Sequence, residues 1–219
     1  MTETKATSPI TEKQYRALQN SIELPTPQEL FDFMIERLRI KFEETDIFSY
    51  KLADPFHAKI GELGGQLFLV VPAQPKTFFK DRGLFEHVIS LVENHGATGT
   101  SGLDPKELED LTESPTTPTL LTDIEDGRMR LHVSPQASRQ GIIVGKRHPY
   151  TIWRGLIHAI VFPEVFQDHH MSLVESQSKS GRVPCLHIVS GLPRLSLLRR
   201  DEAFPRLGAP SCGGVLTES

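Results

Sequence analysis

The chain has 219 residues, with 24 Lys and Arg, 28 Asp and Glu, and a formal net charge of −4. Its apolar share of 38 % is ordinary for a soluble globule, and no run of about 18 apolar residues would span a membrane. The sequence shows no secretory leader, and its two cysteines, Cys185 and Cys212, are too few for a disulfide framework. These features predict a soluble cytoplasmic protein.

Charge is divided unevenly along the chain. Residues 101–126, here called the acidic segment, hold eight acidic side chains and one basic side chain, a charge of −7. Residues 127–200, here called the basic block, hold eleven basic and three acidic side chains, a charge of +8, and six of the nine histidines. A patch of one sign attracts ligands of the other sign, so phosphates, carboxylates and the chain's own acidic segment are candidate partners of the basic block.

The strongest structural signal is the start of a helix. Residues 1–25 form an arm, which can hold a short helix over 12–23. Thr26-Pro27-Gln28-Glu29 then has the capping-box pattern with proline at the first helical position, followed by apolar side chains at three- and four-residue spacing. This pattern predicts a helix over 27–43, and a similar spacing predicts a second helix over 81–94 that ends at His95-Gly96.

The later part of the chain favours short strands. Residues 97–119 predict a long acidic loop with a short helix after Asp104, and residues 128–145 predict a hairpin. Residues 149–162 fit a helix or a strand over 156–162, and the helix is favoured. Gly64-Gly65 predicts a turn. The predicted strands are 48–60 (one or two edge strands), 66–71, 128–133, 141–145, 171–175 and 185–190.

Helices come first and strands later, without a repeating strand–helix unit. This order predicts an α+β fold with a single mixed or antiparallel sheet and two or three packed helices, all in one domain over 26–190. Residues 191–219 contain many prolines and glycines and show little periodicity, which predicts a loose, disordered C-terminal tail.

Two histidines lie inside predicted strands and are candidate catalytic residues, His132 and His187. On a strand, His132 would share one face with Arg128 and Arg130, which could hold an anion. Two H-x-[ST] strands facing each other would resemble the 2H phosphoesterases, in which paired imidazoles serve as acid and base. His132-Val133-Ser134 fits this motif, whereas Val189 stands where the second hydroxyl residue belongs.

Two further groups could bind ligands. Arg154 and His158 would lie one helical turn apart, with Thr151 on the same side, and could clamp a carboxylate or phosphate. Asp168, His169 and His170 combine a carboxylate with imidazoles, which are ligands for a divalent metal. That tripeptide resembles the signature of the DHH phosphoesterases, although the upstream D-x-D aspartates of that family are missing.

The sequence favours a domain that binds or converts an anionic small molecule, carrying a phosphate or carboxylate, through its basic, histidine-rich block. In this hypothesis His132 is the acid–base residue, and Arg128, Arg130 and Arg154 hold the anion. The alternative is a non-catalytic protein-interaction module that uses the acidic segment and the basic block. Convergence of the four residues on one cavity would favour the enzyme, and scatter would favour the module.

Several common functional classes lack support in the sequence. No nucleotide-binding, zinc-protease or serine-hydrolase motif occurs, and no cofactor follows from the motifs present. The basic block holds few aromatic residues and no RNP-type stretch, which argues against nucleic acid as the partner. No reaction can be named from the residues.

Overall fold

The structure, a computed structural model, describes residues 26–43, 45, 47, 54–63 and 66–217. In this part of the chain it shows an α+β fold with six α-helices and four sheets, instead of the single sheet predicted. The possible helix over 12–23 and the turn at Gly64-Gly65 lie outside the described residues. No helix among the described residues is long and apolar enough to cross a membrane.

The helices and strands follow one another in this order: α1 Pro27–Lys41, α2 His57–Ile60, β1 Phe68–Val71, α3 Arg82–Ser90, β2 Glu93–Asn94, β3 Ala97–Thr98, β4 Thr100–Ser101, β5 Leu108–Asp110, β6 Thr119–Glu125, α4 Pro135–Val144, β7 His148–Pro149, α5 Ile152–Val161, α6 Val165–Asp168, β8 His170–Ser172, β9 Ser176–Ser178, β10 Val183–Val189, β11 Leu192–Leu198, β12 Leu207–Gly208 and β13 Ser211–Thr217. Short 3₁₀ turns occur at Asp54–Phe56, Pro105–Glu107 and Arg128–Arg130.

Helix α1 begins as predicted. The Thr26 hydroxyl accepts a hydrogen bond from the Glu29 amide at 3.2 Å, and the Glu29 carboxylate accepts one from the Thr26 amide at 2.8 Å. This capping box satisfies two backbone donors that have no partner inside the helix. The helix ends at Lys41, two residues before the predicted end. Its buried residues are Leu30, Phe31, Phe33, Met34, Ile35 and Leu38.

A four-stranded sheet in the order β1-β6-β13-β7 forms one wall of the core. The predicted strand over 66–71 is confirmed as β1, which is buried along its whole length and pairs with β6. Strand β13 runs antiparallel to β6 over 211–217 and lies inside the sheet. The predicted disordered tail over 191–219 is therefore wrong, because β11, β12 and β13 occupy this range. Its strands are ordered by their partners, which local periodicity does not reveal.

The second large sheet has five strands in the order β12-β8-β10-β11-β4. Strands β8 and β10 confirm the predicted strands near 171–175 and 185–190, with shifted ends. Strands β10 and β11 form a hairpin whose turn residues, Ser190 and Gly191, have φ angles of 50° and 85°. A two-residue turn with positive φ at both positions matches the twist of the flanking strands.

Helix α3 is shorter than the predicted helix over 81–94. It is capped by the Asp81 carboxylate and ends at Ser90. His95 and Gly96, predicted to end the helix, instead have φ angles of 49° and 81° and form the turn of the hairpin between β2 and β3. The prediction failed because a residue pair that favours positive φ suits a hairpin turn as well as a helix end.

The acidic segment is joined to the basic block. Strand β5 pairs antiparallel with β9, so the predicted loop over 97–119 contains β3, β4 and β5 and is largely ordered by strand pairing. Three ion pairs also connect the segment with the block: Lys179–Glu107, Arg147–Asp123 and Arg128–Asp126. Part of the +8 of the basic block therefore faces the −7 of the acidic segment.

The predicted hairpin over 128–145 is wrong. Its first strand is a 3₁₀ turn, and its second strand belongs to helix α4. The Ser134 hydroxyl accepts a hydrogen bond from the Ala137 amide at 3.4 Å, and Pro135 occupies the first helical position. The predicted edge strand is also wrong over 54–60, which forms a 3₁₀ turn and helix α2.

Helix α5 passes through the core and confirms the helical interpretation of residues 149–162. The Trp153 indole N–H donates a hydrogen bond to the Pro72 carbonyl at 2.7 Å, which ties the helix to the end of β1. Gly155 allows close packing, since a Cβ at this position would lie 2.2 Å from Leu173 Cδ2. The N-terminal end of α5 is thereby fixed beside β9.

Candidate functional site

The residues around His132 do not form the predicted strand face. Arg128 forms ion pairs with Asp126 at 3.1 Å and Asp168 at 3.6 Å. Arg130 lies against α4, where a Cβ on Gly141 would come within 2.7 Å of its Nη1. His132 is exposed and has a φ angle of 63°. The alternation that suggested a shared face is therefore replaced by a 3₁₀ turn followed by a backbone reversal.

Arg154 and His158 lie on α5 but in different surroundings. The Arg154 guanidinium is half-buried and donates a hydrogen bond to the Pro149 carbonyl at 3.3 Å. His158 is completely buried, with its Nδ1 lying 3.5 Å from the Tyr150 hydroxyl. A clamp made by these two side chains is therefore excluded, because a buried imidazole cannot reach an anion at the surface.

Burial of His158 predicts acid sensitivity. Burial lowers its pKa from 6.5 to about 4. Between these two pH values the unfolded chain therefore binds a proton on this imidazole that the folded protein does not bind. This contribution to stability is complete above pH 6.5 and is lost as the pH falls toward 4, at a cost on the order of 3 kcal/mol. We expect urea unfolding to show a smaller loss between pH 7 and pH 4.5 in His158→Phe than in the wild type.

The comparison between variant and wild type is needed because other buried groups act in the opposite direction. Burial raises the pKa of the Asp110 and Glu125 carboxyls. Through these two groups the folded protein therefore loses stability as the pH rises. Both carboxyls are present in the wild type and in His158→Phe, so their contributions cancel when the losses of stability of the two proteins are compared. Equal losses in the two proteins would contradict the assignment to His158.

The residues of the predicted metal site turn toward different neighbours. Asp168 pairs with Arg128, and the buried His169 Nε2 lies 2.7 Å from the Asp126 carbonyl oxygen. The ring of His170 packs edge-on against His187, with 5.8 Å between the ring centroids. No group of three or more His, Cys, Asp or Glu side chains in the described part of the chain is arranged to hold a metal ion.

His187 does face a second imidazole, but the partner is His170 and not His132. We call His170 and His187 the histidine pair. His187 Nε2 lies 2.8 Å from the Ser196 hydroxyl on the neighbouring strand β11. His170-Met171-Ser172 also fits H-x-[ST], so the sequence contained this motif at the second position. Only the register of β8 against β10 shows which of the two motifs meets His187.

Both cysteines are buried thiols. Burial raises the pKa of Cys185 well above its usual value and that of Cys212 to about 11. A thiol that resists ionisation is a poor nucleophile, which agrees with the expected structural role of Cys185. Cys212, expected in a loose tail, is fully buried in β13 instead.

A cavity of about 280 Å³ lies beside helix α4, and we call it the α4 cavity. It is bounded by α4, by the segment around β9 and by the start of β10. Its wall combines polar and apolar side chains. Its lining residues are Leu111, Pro135, Gln136, Arg139, Gln140, Val174, Ser176, Gln177, Gly181, Val183 and Arg200.

Two arginines give the α4 cavity its charge. Arg139 forms a bidentate ion pair with Glu175, with Nε and Nη2 at 2.9 and 3.1 Å from the two carboxylate oxygens. Glu175 is only 3 % exposed. Arg200 is exposed, and its Nε donates a hydrogen bond to the Gln136 side-chain oxygen at 3.3 Å. Sequence reasoning missed both arginines, because Arg139 lay in a predicted connection and Arg200 inside the predicted tail over 191–219.

A small polar cluster fixes the cavity's inner edge. Asp110 accepts hydrogen bonds from the hydroxyls of Ser176 and Ser114, the latter at 2.9 Å. Ser176 also accepts a hydrogen bond from the Ile152 amide at 2.8 Å, at the start of α5. Arg154 lies near enough to oppose the effect of burial on the Asp110 pKa. The cluster locks β5, β9 and α5 together and leaves Ser176 in the cavity wall.

The α4 cavity contains none of the four residues predicted to converge. Arg154 lines a second, narrow cavity beside Pro72, and none of the other three residues lies in its wall. Arg128 and Arg130 lie around the 3₁₀ turn before α4. The geometry therefore lacks the arrangement that an acid–base centre at His132 requires.

Comparison with known proteins places most of the chain in one family. The model of the Family of unknown function (DUF5701) matches residues 62–212. The chain belongs to this family. No curated protein and no solved structure matches the chain.

The DUF5701 match covers both sites described above. The α4 cavity and the histidine pair lie inside residues 62–212, whereas α1 and α2 precede this range. Helix α1 nevertheless contributes to the main core. The α4 cavity and the histidine pair thus lie in the part of the chain that the family model matches.

Proposed function

We propose that this protein binds a small anionic molecule in the α4 cavity. The observation that carries the proposal is the meeting of two guanidinium groups, Arg139 and Arg200, with side-chain amides and an apolar wall in one concave site. Ligand sites in proteins combine an apolar lining with a few polar groups that fix orientation. The proposal keeps the anionic ligand expected from the sequence and moves its binding site within the basic block.

Charge in the cavity favours a ligand with a single anionic group. Glu175 compensates Arg139 through two hydrogen bonds and holds its guanidinium in place. Arg200 forms no ion pair with a carboxylate of the described residues, and its guanidinium is held by the Gln136 side chain. Guanidinium groups bind carboxylates and phosphates through paired N–H donors, so Arg200 is the natural anchor.

The size and lining of the cavity restrict the rest of the ligand. A volume of about 280 Å³ is at the low end of ligand pockets, which measure about 300–1,000 Å³. Val174, Val183 and Leu111 provide the apolar wall, and Gln136, Gln140 and Gln177 offer amide groups. We expect a compact metabolite with an apolar portion and one carboxylate or phosphate.

The alternative function, a protein-interaction module, draws on different observations. The scatter of Arg128, Arg130, His132 and Arg154 favours a role without catalysis. However, part of the acidic segment is already engaged within the molecule. Strand β5 pairs with β9, and Glu107 and Asp126 form ion pairs with residues of the basic block. These contacts reduce the charge that the acidic segment can offer to a partner, whereas ligand binding in the α4 cavity does not depend on that charge.

A thermal-shift screen tests the proposal with a matched pair of variants. A ligand that binds the native state raises the melting temperature, and the rise grows with ligand concentration. We expect a small carboxylate or phosphate compound to stabilise the wild type and Arg199→Ala, and to bind Arg200→Ala about tenfold more weakly. Arg199 is the control because it is adjacent, exposed and paired with Asp201 outside the cavity.

Two results would contradict the proposal. One is equal stabilisation of Arg199→Ala and Arg200→Ala by the same compound, which would place the anion elsewhere. The other is a screen in which no carboxylate or phosphate raises the melting temperature of the wild type above the effect of sodium chloride at equal ionic strength.

A further inference from the structure

A row of polar side chains crosses the five-stranded sheet at one level. Cys185 pairs with Ser172 and Leu186 with Met171, so the antiparallel register of β10 and β8 sets His187 opposite His170. His187 also pairs with Arg194 on β11, and Arg194 pairs with Thr100 on β4. We call these four residues the histidine row: His170, His187, Arg194 and Thr100.

All members of the histidine row lie on the same face of the sheet. Directly paired residues on neighbouring strands point to the same side, and neighbouring strands are about 4.8 Å apart. His170 and His187 are half-buried, whereas Arg194 and Thr100 are exposed. Met171 and Leu186, one residue along, point into the main core on the opposite side. The row therefore presents four polar groups on the surface face.

The imidazoles of the row keep hydrogen-bonding capacity. His187 Nε2 is engaged with the Ser196 hydroxyl, which holds the ring in place. His170 Nδ1 is buried and has no hydrogen-bond partner among the described residues. A buried polar atom without a partner is uncommon, and this ring nitrogen keeps its capacity for a hydrogen bond.

Two arginines lie near the histidine pair. Arg206 lies beside His170, where its Nη2 donates to the Gln167 carbonyl at 3.1 Å, and Arg194 lies beside His187. Burial lowers the pKa of His170 to about 4, and the positive charge of Arg206 lowers it further. Burial, followed by the charge of Arg194, also lowers the pKa of His187. Neither arginine forms an ion pair with a carboxylate in the part of the chain that the structure describes.

This environment distinguishes between ligands of opposite charge. Two neutral imidazoles can bind a metal ion, but two unpaired guanidinium groups repel a cation, and no third ligand side chain completes a metal site in the described residues. An oxyanion instead gains attraction from both arginines and hydrogen bonds from imidazole N–H and hydroxyl groups. A phosphoryl group offers three acceptor oxygens, so it can accept hydrogen bonds from several donors at once.

We propose that the histidine row, together with Ser196 and Arg206, is a binding site for a phosphoryl group. The site shares no residue with the α4 cavity, so it goes beyond the proposed function. The phosphoryl group can belong to free phosphate or to a small phosphate monoester, because the donors of the row recognise the same oxygens in both.

Nuclear magnetic resonance of the histidine rings tests this site directly. The protein labelled with ¹³C-histidine is titrated with sodium phosphate, and sodium chloride at equal ionic strength is the reference. We expect the ring signals of His170 and His187 to shift in a saturable way. Arg194→Gln should weaken phosphate binding about fivefold or more, whereas Arg182→Gln, the loss of an exposed arginine outside the row, should leave it unchanged.

Two further titrations identify the ligand class. Glycerol 2-phosphate separates the two sources of the group: tighter binding than phosphate indicates a monoester ligand, and weaker binding indicates free phosphate. Zinc chloride tests the cation alternative. The proposal is overturned if phosphate and chloride shift the rings equally, if Arg194→Gln and Arg182→Gln bind phosphate alike, or if zinc binds saturably to the pair while phosphate does not.

Discussion

A chain that ends at Pro210 is expected to lose its cooperative unfolding transition. The truncation removes β13, which lies between β6 and β7 and buries Ser211 and Cys212. Its loss exposes the hydrogen-bonding edges of both neighbours and opens the core beside Leu120 and Leu121. We expect the cost to exceed about 5 kcal/mol, the lower limit of stability for a typical domain.

Thermal unfolding followed by near-ultraviolet circular dichroism measures this effect. A chain that ends at Thr217 keeps the whole of β13 and is the matched control, expected to unfold as the full-length protein does. A cooperative transition at the wild-type temperature in the chain ending at Pro210 would show that the four-stranded sheet is stable without its inner strand.

Arg139→Met is expected to destabilise the protein by about 3–5 kcal/mol at pH 7. The substitution leaves the Glu175 carboxylate buried without its bidentate partner, and an uncompensated buried charge is far more costly than the loss of an exposed ion pair. The double variant Arg139→Met with Glu175→Met removes both charges and should recover most of the loss. Urea unfolding measures all three stabilities.

Lys179→Met provides the control for the loss of a cation from an ion pair. Lys179 and Glu107 are 61 % and 58 % exposed in their side chains, so this pair is worth less than about 1 kcal/mol. Equal, small losses in Arg139→Met and Lys179→Met would contradict the structural role of the buried pair.

Local signals predicted the helices best. The capping box at Thr26 located α1 because its donors and acceptors all lie within four residues. The period of residues 149–162 located α5. By contrast, the alternation of 128–133 indicated a strand, but no partner strand lies beside it, and a strand needs cross-strand contacts to form. The strands of 191–219 were missed because their contacts with partner strands order them, and local periodicity does not reveal those contacts.

For the candidate sites, the sequence predicted the kind of side chains involved but not which of them lie together. The basic block contains the histidine pair and every lining residue of the α4 cavity except Leu111, and His187 was singled out in advance. Its partner was not, because two H-x-S motifs were present and only the pairing of β8 with β10 selects His170. Arg139 lay in a predicted turn, and its partner Glu175 is distant in sequence, so no local pattern connects them.

The position of β13 also bears on how the chain folds. Apart from the two-residue strand β7, the whole basic block is inserted between β6 and β13, two neighbours in the same sheet. Contacts between residues so distant in sequence form late and slow folding. Until β13 arrives, β6 presents an open edge on which another nascent chain can pair. The molecule therefore depends on timely closure of this sheet, and chaperones that shield unpaired strands should improve its yield.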